Sequence, residues 1–589
     1  MTGRHLADHT LDRVTELLEG FGSNLSGDSR IAIHALLTSL EAGLRGELEH
    51  AYHLSAIDPG IGKTLCVATF LRLWKEGGFS LSSGVLIGVS RLEEIETYLG
   101  HAGLDREDVA VLTSDTTMNA LGVPPSQHDE ARVLFTTQQM IVSRTKGKGF
   151  GDADEFHYQG KPRVLRIWDE SLTLAEHLAL RVDDLGLLAS PLRHTHPELI
   201  REVRSFQRAL WDVVAGDLVQ VPASLTAFVP PRRLGGDQVG AVVETLKHLG
   251  GRAVTVVEVG SGDMRLAGSA APFPDDFAPV IILDASGRVR STYRLWEEAL
   301  GNLRRLPAAA NDYRRLRVHL WERRVGREAF KEVATREDVI AAVASAINDG
   351  GQSGDWLIIT YKDTDGAVQE ALLSAVRPEA GRGLHFLTWG RHHGTNAFGH
   401  CSNVVIIGQP TYGQADYPAL ASAACGGQAV PEGSVAMLKE GEYRHHLLQA
   451  LTRASVRRSA NGVGGACNAY IVTSPGNRAR EAISEAFPGC AIEDWSPPQE
   501  QVAGQAGMLI DLLEAHRLAR ADTVTKKELR DALGVNGPNF SRLLQHPRVE
   551  AYMDRKHLDT DRTTVFSLAR FEPFPGGGWT IDQIDDEVV

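Results

Sequence analysis

The chain has 589 residues, of which 43% are apolar and 23% charged, and its formal net charge is −14. This is the composition of a globular protein that is too long for one hydrophobic core, so we expect three or four domains. The negative charge argues against a protein that coats nucleic acid by bulk electrostatics, although a local basic groove could still bind phosphates.

The five cysteines are scattered through the chain and form no close pair. This usage is typical of a reduced protein without a zinc or iron–sulfur site. The N-terminus lacks the apolar segment of a signal peptide, and no run approaches the roughly 20 apolar residues that span a bilayer. We therefore expect a cytoplasmic protein that has no membrane partner.

The first half of the chain predicts a helical segment followed by an α/β lobe. Residues 1–50 carry apolar side chains at helical spacing. From residue 51 to about 171, short apolar strands alternate with helical stretches, which predicts a parallel sheet covered by helices. Residues 172–278 change character, and we interpret them as a mainly helical insertion in a first lobe that spans 51–310.

The second half predicts another lobe and a smaller domain. Residues 311–498 again alternate strands and helices but contain no second glycine-rich phosphate loop. Residues 499–572 predict helix, turn, helix and a hairpin with strands at Tyr552–His557 and Thr563–Ala569, an order that suits a winged helix. Residues 573–589 combine a glycine triplet with an acidic run and predict a disordered tail.

The strongest local motif follows the first predicted strand and opens a helix. Glycines allow backbone amides to converge on phosphate oxygens, Lys63 can reach the β- and γ-phosphates, and the Thr64 hydroxyl can bind Mg²⁺. Ile57 replaces the glycine with which such loops usually begin. The alternative is an ordinary glycine-rich loop, but the order of strand, loop and helix favours nucleotide binding. The predicted binding residues are Asp58, Pro59, Gly60, Ile61, Gly62, Lys63, Thr64 and Leu65.

Two adjacent carboxylates, Asp169 and Glu170, end an apolar strand. Beside a phosphate loop, Asp169 can hold Mg²⁺ while Glu170 polarises the attacking water. Acidic pairs after strands are common in loops, so this pair predicts a magnesium site only in combination with the phosphate loop.

A third motif, Gln449 to Arg458, lies on a predicted helix in the lobe that lacks a phosphate loop. A nucleotide shared between lobes needs cationic donors that reach its γ-phosphate from the opposite side, and the planar arginine side chain suits that role. The alternative is an exposed basic helix face.

In this order the motifs resemble those of superfamily 2 helicases of the DExD/H type. The resemblance covers about residues 51–473 and implies two RecA-like lobes, ATP and Mg²⁺ as cofactors, and a nucleic-acid partner. It also implies catalytic roles for Lys63, Glu170, Gln449, Arg453 and Arg457. One extra residue before the second arginine leaves Arg457 and Arg458 as alternatives for the second arginine finger.

Weaker elements of the resemblance concern contact with nucleic acid and coupling to ATP. Asp284-Ala285-Ser286 stands where the family has its Ser-Ala-Thr coupling motif, and Gly394-Thr395-Asn396 resembles a further coupling motif. In the two lobes, the residues that the resemblance places near nucleic acid are Arg91, Thr136, Thr137, Gln138 and Thr388.

The predicted winged helix offers Asn539, Ser541 and Arg542 near the start of a recognition helix. These residue types can contact phosphates or base edges. A structural or protein-binding winged helix is the alternative.

The leading hypothesis is an ATP-dependent helicase or translocase on DNA, with RNA left open. The alternative is an ATP-gated DNA-binding or initiator protein, in which the lobes act as a switch and the winged helix selects the site. The insertion and the tail are candidate surfaces for protein partners.

Overall fold

The structure is a computed structural model that describes residues 5–78, 83–226, 237–260, 262–349, 352–362, 366–378, 382–390, 397–476, 478–497, 504–518, 523–556 and 558–567. The chain divides into two compact units. The first comprises Met1–Gly326, Ser353–Lys362 and Ala380–Glu493, and the second comprises Arg327–Gln352, Asp363–Glu379 and Asp494–Val589. The predicted tail at 573–589 and the motif Gly394 to Asn396 lie outside the described residues.

The N-terminal segment forms two helices, α1 (Leu6–Gly20) and α2 (Gly27–Arg45). The Ser26 side chain caps α2 by accepting a hydrogen bond from the Ser29 amide at 3.1 Å. Both helices bury an apolar face against the first lobe, because Leu36 and Leu40 of α2 belong to the same core as Val85 and Ile87 of that lobe.

The first lobe is a seven-stranded parallel sheet in the order β13-β1-β12-β7-β2-β4-β3. Before the insertion its elements are β1 (Tyr52–Ser55), α3 (Lys63–Glu76), β2 (Val85–Val89), α4 (Leu92–Ala102), β3 (Val109–Leu112), α5 (Thr116–Asn119), β4 (Val133–Thr137), α6 (Gln138–Thr145), the short pair β5 (His157–Tyr158) and β6 (Lys161–Pro162), and β7 (Leu165–Asp169). The central strands are buried on both faces, as parallel strands are when helices cover the sheet.

The insertion contains helices, as predicted, but it also contains a sheet that the sequence did not predict. Its elements are β8 (His177–Arg181), α7 (Ala189–Leu192), α8 (Pro197–Ala209), β9 (Leu218–Gln220), α9 (Asp237–Leu249), β10 (Ala253–Val259) and β11 (Asp263–Ser269). The strands form an antiparallel sheet in the order β8-β11-β10-β9. Ile200, Val203 and Phe206 of α8 recur at helical spacing and bury against this sheet.

After the insertion the chain returns to the first lobe and then builds the second. The first lobe ends with β12 (Val280–Leu283), α10 (Ser291–Leu300) and β13 (Leu303–Arg305). The following elements are β14 (Leu316–Glu322), α11 (Val333–Asp349), β15 (Trp356–Thr360), α12 (Ala367–Ala375), β16 (Leu384–Thr388), β17 (Asn403–Ile407), α13 (Asp416–Ala424), α14 (Ser434–Leu451), β18 (Cys467–Thr473), α15 (Ala479–Ala486) and β19 (Ala491–Asp494). Helices α11 and α12 belong to the second unit.

The second lobe is a six-stranded sheet in the order β16-β15-β17-β18-β14-β19, and its strands from β16 to β14 run parallel. The predicted α/β fold class with two parallel-sheet lobes is therefore confirmed. The lobes pack tightly where α10 meets α14, because a Cβ atom at Gly441 would lie 2.5 Å from the Ser291 amide nitrogen. Beside that contact, Arg290 forms a buried ion pair with Glu442 at 2.6 Å.

The C-terminal part of the second unit is a small α/β body. It comprises α16 (Gly504–Leu518), β20 (Thr523–Thr525), α17 (Lys526–Leu533), α18 (Gly537–Leu544), α19 (Pro547–Arg555), β21 (Leu558–Thr560) and β22 (Thr564–Ser567), with an antiparallel sheet in the order β20-β22-β21. The predicted strand Tyr552–His557 is wrong, because Tyr552 packs in the core as part of α19. The winged helix stays a prediction.

Among the residues that the structure describes, no helix combines the length and the apolar character that crossing a membrane requires.

Candidate active site

The glycine-rich loop lies between β1 and α3, at the carboxyl edge of the first sheet. Helix α3 begins at Lys63, and no side chain caps its N-terminus. Gly60 and Gly62 have φ angles of +87° and +112°, a region that glycine adopts without strain. Unpaired amides at a helix N-terminus attract anions, and the helix dipole adds to this attraction. The loop therefore has the local geometry of a phosphate site.

The ammonium group of Lys63 lies among carboxyl groups. Its Nζ donates a short hydrogen bond to the carbonyl oxygen of Ile57. Burial lowers the pKa of Lys63, and nearby carboxylates oppose that shift. These carboxylates are those of Glu170, Asp169, Asp58 and Asp284. The lysine is thus positioned beside the acidic pair that the sequence associated with it.

Asp169 ends β7 and is held on two sides. Its Oδ2 accepts a hydrogen bond from the Tyr98 hydroxyl at 2.7 Å, and its backbone carbonyl accepts one from Nε2 of Gln138 at 2.5 Å. Burial raises the pKa of the Asp169 carboxyl, while the Tyr98 hydrogen bond and the Lys63 charge oppose that rise. Its orientation is therefore fixed by residues from two other elements of the first lobe.

Glu170 follows directly and adopts a left-handed backbone, with φ of +83°. Its amide donates to the carbonyl oxygen of Leu283 at 3.1 Å. Burial raises the pKa of the Glu170 carboxyl to about 7, and the charge of Arg453 opposes that rise. A carboxyl group with this pKa can accept a proton near neutral pH. A non-glycine residue in this strained conformation is frequent at functional sites.

The donor set suits Mg²⁺, which prefers oxygen ligands. The Tyr98 hydroxyl hydrogen-bonds with the side chains of both Thr64 and Asp169. Thr64 and Asp169 therefore place two oxygen atoms beside the same hydroxyl, and oxygen is the ligand type that the implied Mg²⁺ would take.

Asp284 connects the acidic pair to the strand β12. It is fully buried, and its Oδ2 accepts hydrogen bonds from the Ser171 hydroxyl at 2.7 Å and from the Tyr293 hydroxyl at 2.9 Å. Its Oδ1 accepts from the amide and the hydroxyl of Ser286 at 2.8 and 2.6 Å. The segment after Glu170 is thereby tied to the start of the chain that leads into α10.

The second lobe brings Arg453 to the junction between the two lobes, which we call the seam. This arginine is only 6% exposed, and its Nε donates to the backbone carbonyl of Gln449 at 2.9 Å while its Nη2 donates to the Gln449 side chain. Burial lowers the pKa of Arg453 to about 10, and the carboxylate of Glu170 opposes that shift. The charges of Arg453 and Glu170 therefore interact across the lobes, and Gln449 fixes the position of the guanidinium.

Arg457 also belongs to the seam. Burial lowers the pKa of its guanidinium, and Glu170 opposes the shift. The neighbouring Arg458 is exposed to solvent. The carbonyl oxygen of Arg457 comes so close to Gly60 that a Cβ atom there would lie 1.8 Å away. These contacts favour Arg457 over Arg458 as the second arginine of the site.

Asp58, at the start of the loop, is held by residues that lead from one lobe to the other. Its Oδ2 accepts from the Tyr313 hydroxyl at 2.7 Å and from the Asn311 amide at 3.0 Å. Its Oδ1 accepts from Arg288 at 3.2 Å, and the same guanidinium donates to the carbonyl oxygen of Ala486 in the second lobe at 2.9 Å. Asp58 thus links the phosphate loop to the lobe junction rather than pointing at solvent.

Three of the first-lobe residues predicted to contact nucleic acid have internal roles. Thr136 stays a prediction as a contact residue, and its side chain is fully buried and donates to the Leu112 carbonyl at 2.7 Å. Gln138 is engaged by Asp169 as described, and the Thr137 hydroxyl caps α6 by accepting from the Met140 amide at 3.2 Å.

The other predicted contact residues occupy separate places. Arg91 lies close enough to Arg453 for its charge to lower the pKa of that arginine, so it borders the seam. Thr388 is half-buried at the end of the edge strand β16. In the second unit, Asn539, Ser541 and Arg542 are exposed on α18.

Sequence reasoning missed Tyr98, Glu94 and Arg288. Burial raises the pKa of Glu94 to about 8, and the charges of Asp169 and Glu170 raise it further. These residues lie 71 to 230 positions from some of their partners along the chain. No local spacing pattern marks such residues, since only the fold brings them to the site.

No family model and no curated protein matches the chain. Among solved structures it is similar to S. tokodaii Xpd4, with 12% identity over 77% of this chain and 99% of that one and a TM-score of 0.41. It is also similar to S. cerevisiae Dbp5 bound to RNA and ADP BeF3, with 11% identity, 81% and 95% coverage and a TM-score of 0.36. It is similar as well to the E. coli DExH-box NTPase HrpB, with 12% identity over 82% of this chain and 45% of that one and a TM-score of 0.34. These likenesses are too weak to assign a function.

Proposed function

We propose that the chain is an ATP-dependent helicase or translocase that hydrolyses ATP between its two lobes and acts on DNA. The observation that supports this most strongly is the convergence of Lys63 and Glu170 from the first lobe with Arg453 from the second. Cations and a general base around one seam are what hydrolysis of a phosphoanhydride requires.

Each residue has a distinct role in this proposal. The phosphate loop and Lys63 bind the β- and γ-phosphates. Glu170 accepts a proton from the attacking water, and its pKa of about 7 suits that role at neutral pH. Arg453 and Arg457 approach the γ-phosphate and stabilise the negative charge that develops there. Mg²⁺ held by Thr64 and Asp169 would neutralise charge on the phosphate oxygens.

The seam also offers a route from hydrolysis to movement. Gly60 and Arg457 touch across it, and Arg288 bridges Asp58 to the second lobe. A nucleotide bound among these residues would bind both lobes, and loss of the γ-phosphate would weaken their attachment. Repeated closure and opening of two lobes can shift their grip on a strand of nucleic acid.

We assign DNA as the partner on the basis of the C-terminal body. Its helices α17 and α18 are followed by α19 and the hairpin of β21 and β22, an order that suits a winged helix. Asn539, Ser541 and Arg542 are exposed on α18, where a recognition helix would present them to a groove.

The direct test is the rate of ATP hydrolysis by the full chain alone and with single-stranded DNA, duplex DNA or RNA. A motor should be stimulated severalfold by its own nucleic acid and should displace a strand from a partial duplex or move along one. Lys63→Ala should abolish turnover, and Glu170→Gln should lower it by about 10²- to 10⁴-fold. Lys75→Ala and Glu76→Gln on the same helix α3 are matched controls, and both should hydrolyse ATP at the normal rate.

The same assay separates the alternative, an ATP-gated DNA-binding protein. If no nucleic acid changed the rate, while a particular duplex bound tightly and more tightly with ATP, the lobes would be a switch and the helicase proposal would be wrong. Stimulation by RNA alone would retain the motor and contradict its assignment to DNA.

A further inference from the structure

Four side chains with metal-binding atoms meet at the amino edge of the second sheet, away from the phosphate loop. Asp355 immediately precedes β15, His385 is the second residue of β16, and His400 and Cys401 lie just before β17. These three strands are neighbours and run parallel, so the residues before them share one edge. None of the four belongs to the proposed hydrolysis machinery.

The distances between their ligand atoms are short. The two histidine Nε2 atoms are 3.2 Å apart, and Oδ2 of Asp355 lies 3.3 Å from each of them. The Cys401 Sγ lies 3.7 Å from Nε2 of His400, and the sulfur and both histidine nitrogens all fall within 4.8 Å of one another.

The separations among the two histidine nitrogens and the Asp355 oxygen, and that between His400 and Cys401, agree with one tetrahedral ion, while His385, His400 and Cys401 form the group whose ligand atoms all lie within 4.8 Å. With metal–nitrogen bonds of about 2.0 to 2.1 Å and a metal–sulfur bond of about 2.3 Å, tetrahedral angles place two nitrogens about 3.3 Å apart and a nitrogen and a sulfur about 3.6 Å apart. A nitrogen and a carboxylate oxygen would also be about 3.3 Å apart.

We infer that Asp355, His385, His400 and Cys401 form a structural site for a divalent transition metal ion of the Zn²⁺ type. Imidazole and thiolate ligands select such ions over Mg²⁺ and Ca²⁺, which prefer oxygen. Asp355 as a fourth ligand would close the coordination sphere, as in sites that stabilise a fold rather than catalyse a reaction.

The surroundings hold the ligands in place. Oδ1 of Asp355 accepts a hydrogen bond from the Gly383 amide at 2.6 Å, which leaves Oδ2 directed at the two histidines. Hydrogen bonds of this kind orient metal ligands in proteins. Cys401 is fully buried, whereas the His385 and His400 side chains are 32% and 44% exposed, so the site is reachable from solvent on the histidine side.

The site also connects to the arginine motif. The backbone carbonyl of Cys401 accepts a hydrogen bond from the Ser455 amide at 2.9 Å, and Ser455 lies between Arg453 and Arg457. An ion at the cluster would tie the turn before β17 to β15 and β16, and through Ser455 it would support the segment that carries the arginines.

The test measures metal on the purified full-length chain. The wild type should contain about one Zn²⁺ per chain by elemental analysis. After removal by a chelator it should take up one Co²⁺, with the visible bands of tetrahedral Co²⁺ and a thiolate-to-metal charge-transfer band. Cys401→Ala should lose the charge-transfer band, and His385→Ala should bind Co²⁺ at least ~10-fold more weakly.

Cys490→Ala and His34→Ala are matched controls outside the cluster, and both should bind Co²⁺ as the wild type does. Asp355→Asn is a milder variant in case the alanine variants do not fold, and it should also weaken Co²⁺ binding at least ~10-fold. Zn²⁺ should raise the thermal midpoint of the apo wild type but not that of Cys401→Ala. The proposal is wrong if the chain binds no stoichiometric ion, or if the cluster variants bind Co²⁺ with the wild-type affinity. In either case Asp355 would only hydrogen-bond the two histidines. Neither result depends on ATP hydrolysis.

Discussion

The carbonyl oxygen of Arg457 lies 1.8 Å from the position that a Cβ atom would take at Gly60. The phosphate loop and the arginine segment therefore touch directly, and only a glycine allows this approach. We predict that Gly60→Ala lowers turnover at saturating ATP by ~100-fold, because displacing Arg457, the proposed second arginine of the site, by about 1 Å is enough for such a loss. Steady-state ATP hydrolysis checks this prediction.

Gly62→Ala is the matched control for this substitution. Its φ of +112° makes alanine equally unfavourable in the backbone, but a Cβ atom there meets nothing closer than 3.9 Å. It should weaken nucleotide binding through loop strain and reduce turnover at saturating ATP much less than Gly60→Ala. Equal losses of turnover in the two variants would contradict a role for the contact between the lobes.

The pKa of Glu170 predicts the pH dependence of hydrolysis. Burial raises this pKa to about 7, and a general base must be deprotonated to act. We therefore expect kcat/KM to rise about tenfold per pH unit below about pH 7 and to level off above it. Rates measured from about pH 5.5 to about pH 8.5 test this, and the residual activity of Glu170→Gln should lack the acidic limb. A flat wild-type profile would show that Glu170 is not the base.

Tyr98 is predicted to act as a positioning residue for the Mg²⁺ ligands. Its hydroxyl donates to Asp169 at 2.7 Å and also contacts the Thr64 side chain. Loss of a group that orients a metal ligand weakens metal binding by about 10- to 100-fold. In Tyr98→Phe, the Mg²⁺ concentration for half-maximal hydrolysis should rise by that factor, while the rate at saturating Mg²⁺ changes less. Tyr52 is another buried tyrosine of the first lobe, and Tyr52→Phe should show the wild-type Mg²⁺ dependence. A wild-type Mg²⁺ dependence in Tyr98→Phe would contradict the positioning role of its hydroxyl.

The buried pair Arg290–Glu442 also joins the two lobes. The two side chains are 7% and 1% exposed, and Thr292 adds a hydrogen bond to Glu442 at 2.9 Å. Breaking a buried pair leaves an uncompensated charge and costs about 3–5 kcal/mol. Glu442→Ala should therefore lower the free energy of unfolding in urea by that amount. The exposed pair Arg294–Glu298 serves as the control, since Glu298→Ala should cost about 1 kcal/mol or less.

The sequence predicted those parts of the site that lie within one short segment. Two motifs are recognisable from neighbouring residues alone. They are the glycine-rich loop Asp58 to Thr64, which follows a strand, and the acidic pair Asp169-Glu170, which ends one. The partners that hold them are distant in sequence: Tyr98 for Asp169, and Asn311, Tyr313 and Arg288 for Asp58. Only the order of strands in the sheet brings these residues together.

The metal cluster illustrates the same limit more sharply. Asp355, His385 and His400 are separated by 30 and 15 positions and carry none of the regular spacings of known metal motifs. The adjacency of β16, β15 and β17 brings these side chains together, and the spacing of the cysteines in the sequence gives no sign of it.

Errors in secondary structure have local causes. In the C-terminal body, the sequence predicts a strand at Tyr552 because tyrosine favours strands. A helix nevertheless begins at Pro547, and Val549, Tyr552 and Met553 recur at helical spacing in the core. In the insertion, β10 alternates buried and less buried residues from Ala253 to Val257, but β11 ends in four consecutive buried residues and so lacks the period of two that marks a strand.

We propose that a nucleotide bound by the first lobe is hydrolysed with the help of Arg453 from the second. The most direct measurement is the single-turnover rate of ATP hydrolysis by Arg453→Lys at saturating ATP, alongside Arg458→Lys as the exposed control. We predict that Arg453→Lys binds ATP nearly as tightly as the wild type but hydrolyses it at least ~10³-fold more slowly, whereas Arg458→Lys is unaffected. Hydrolysis by Arg453→Lys at the wild-type rate would contradict the claim.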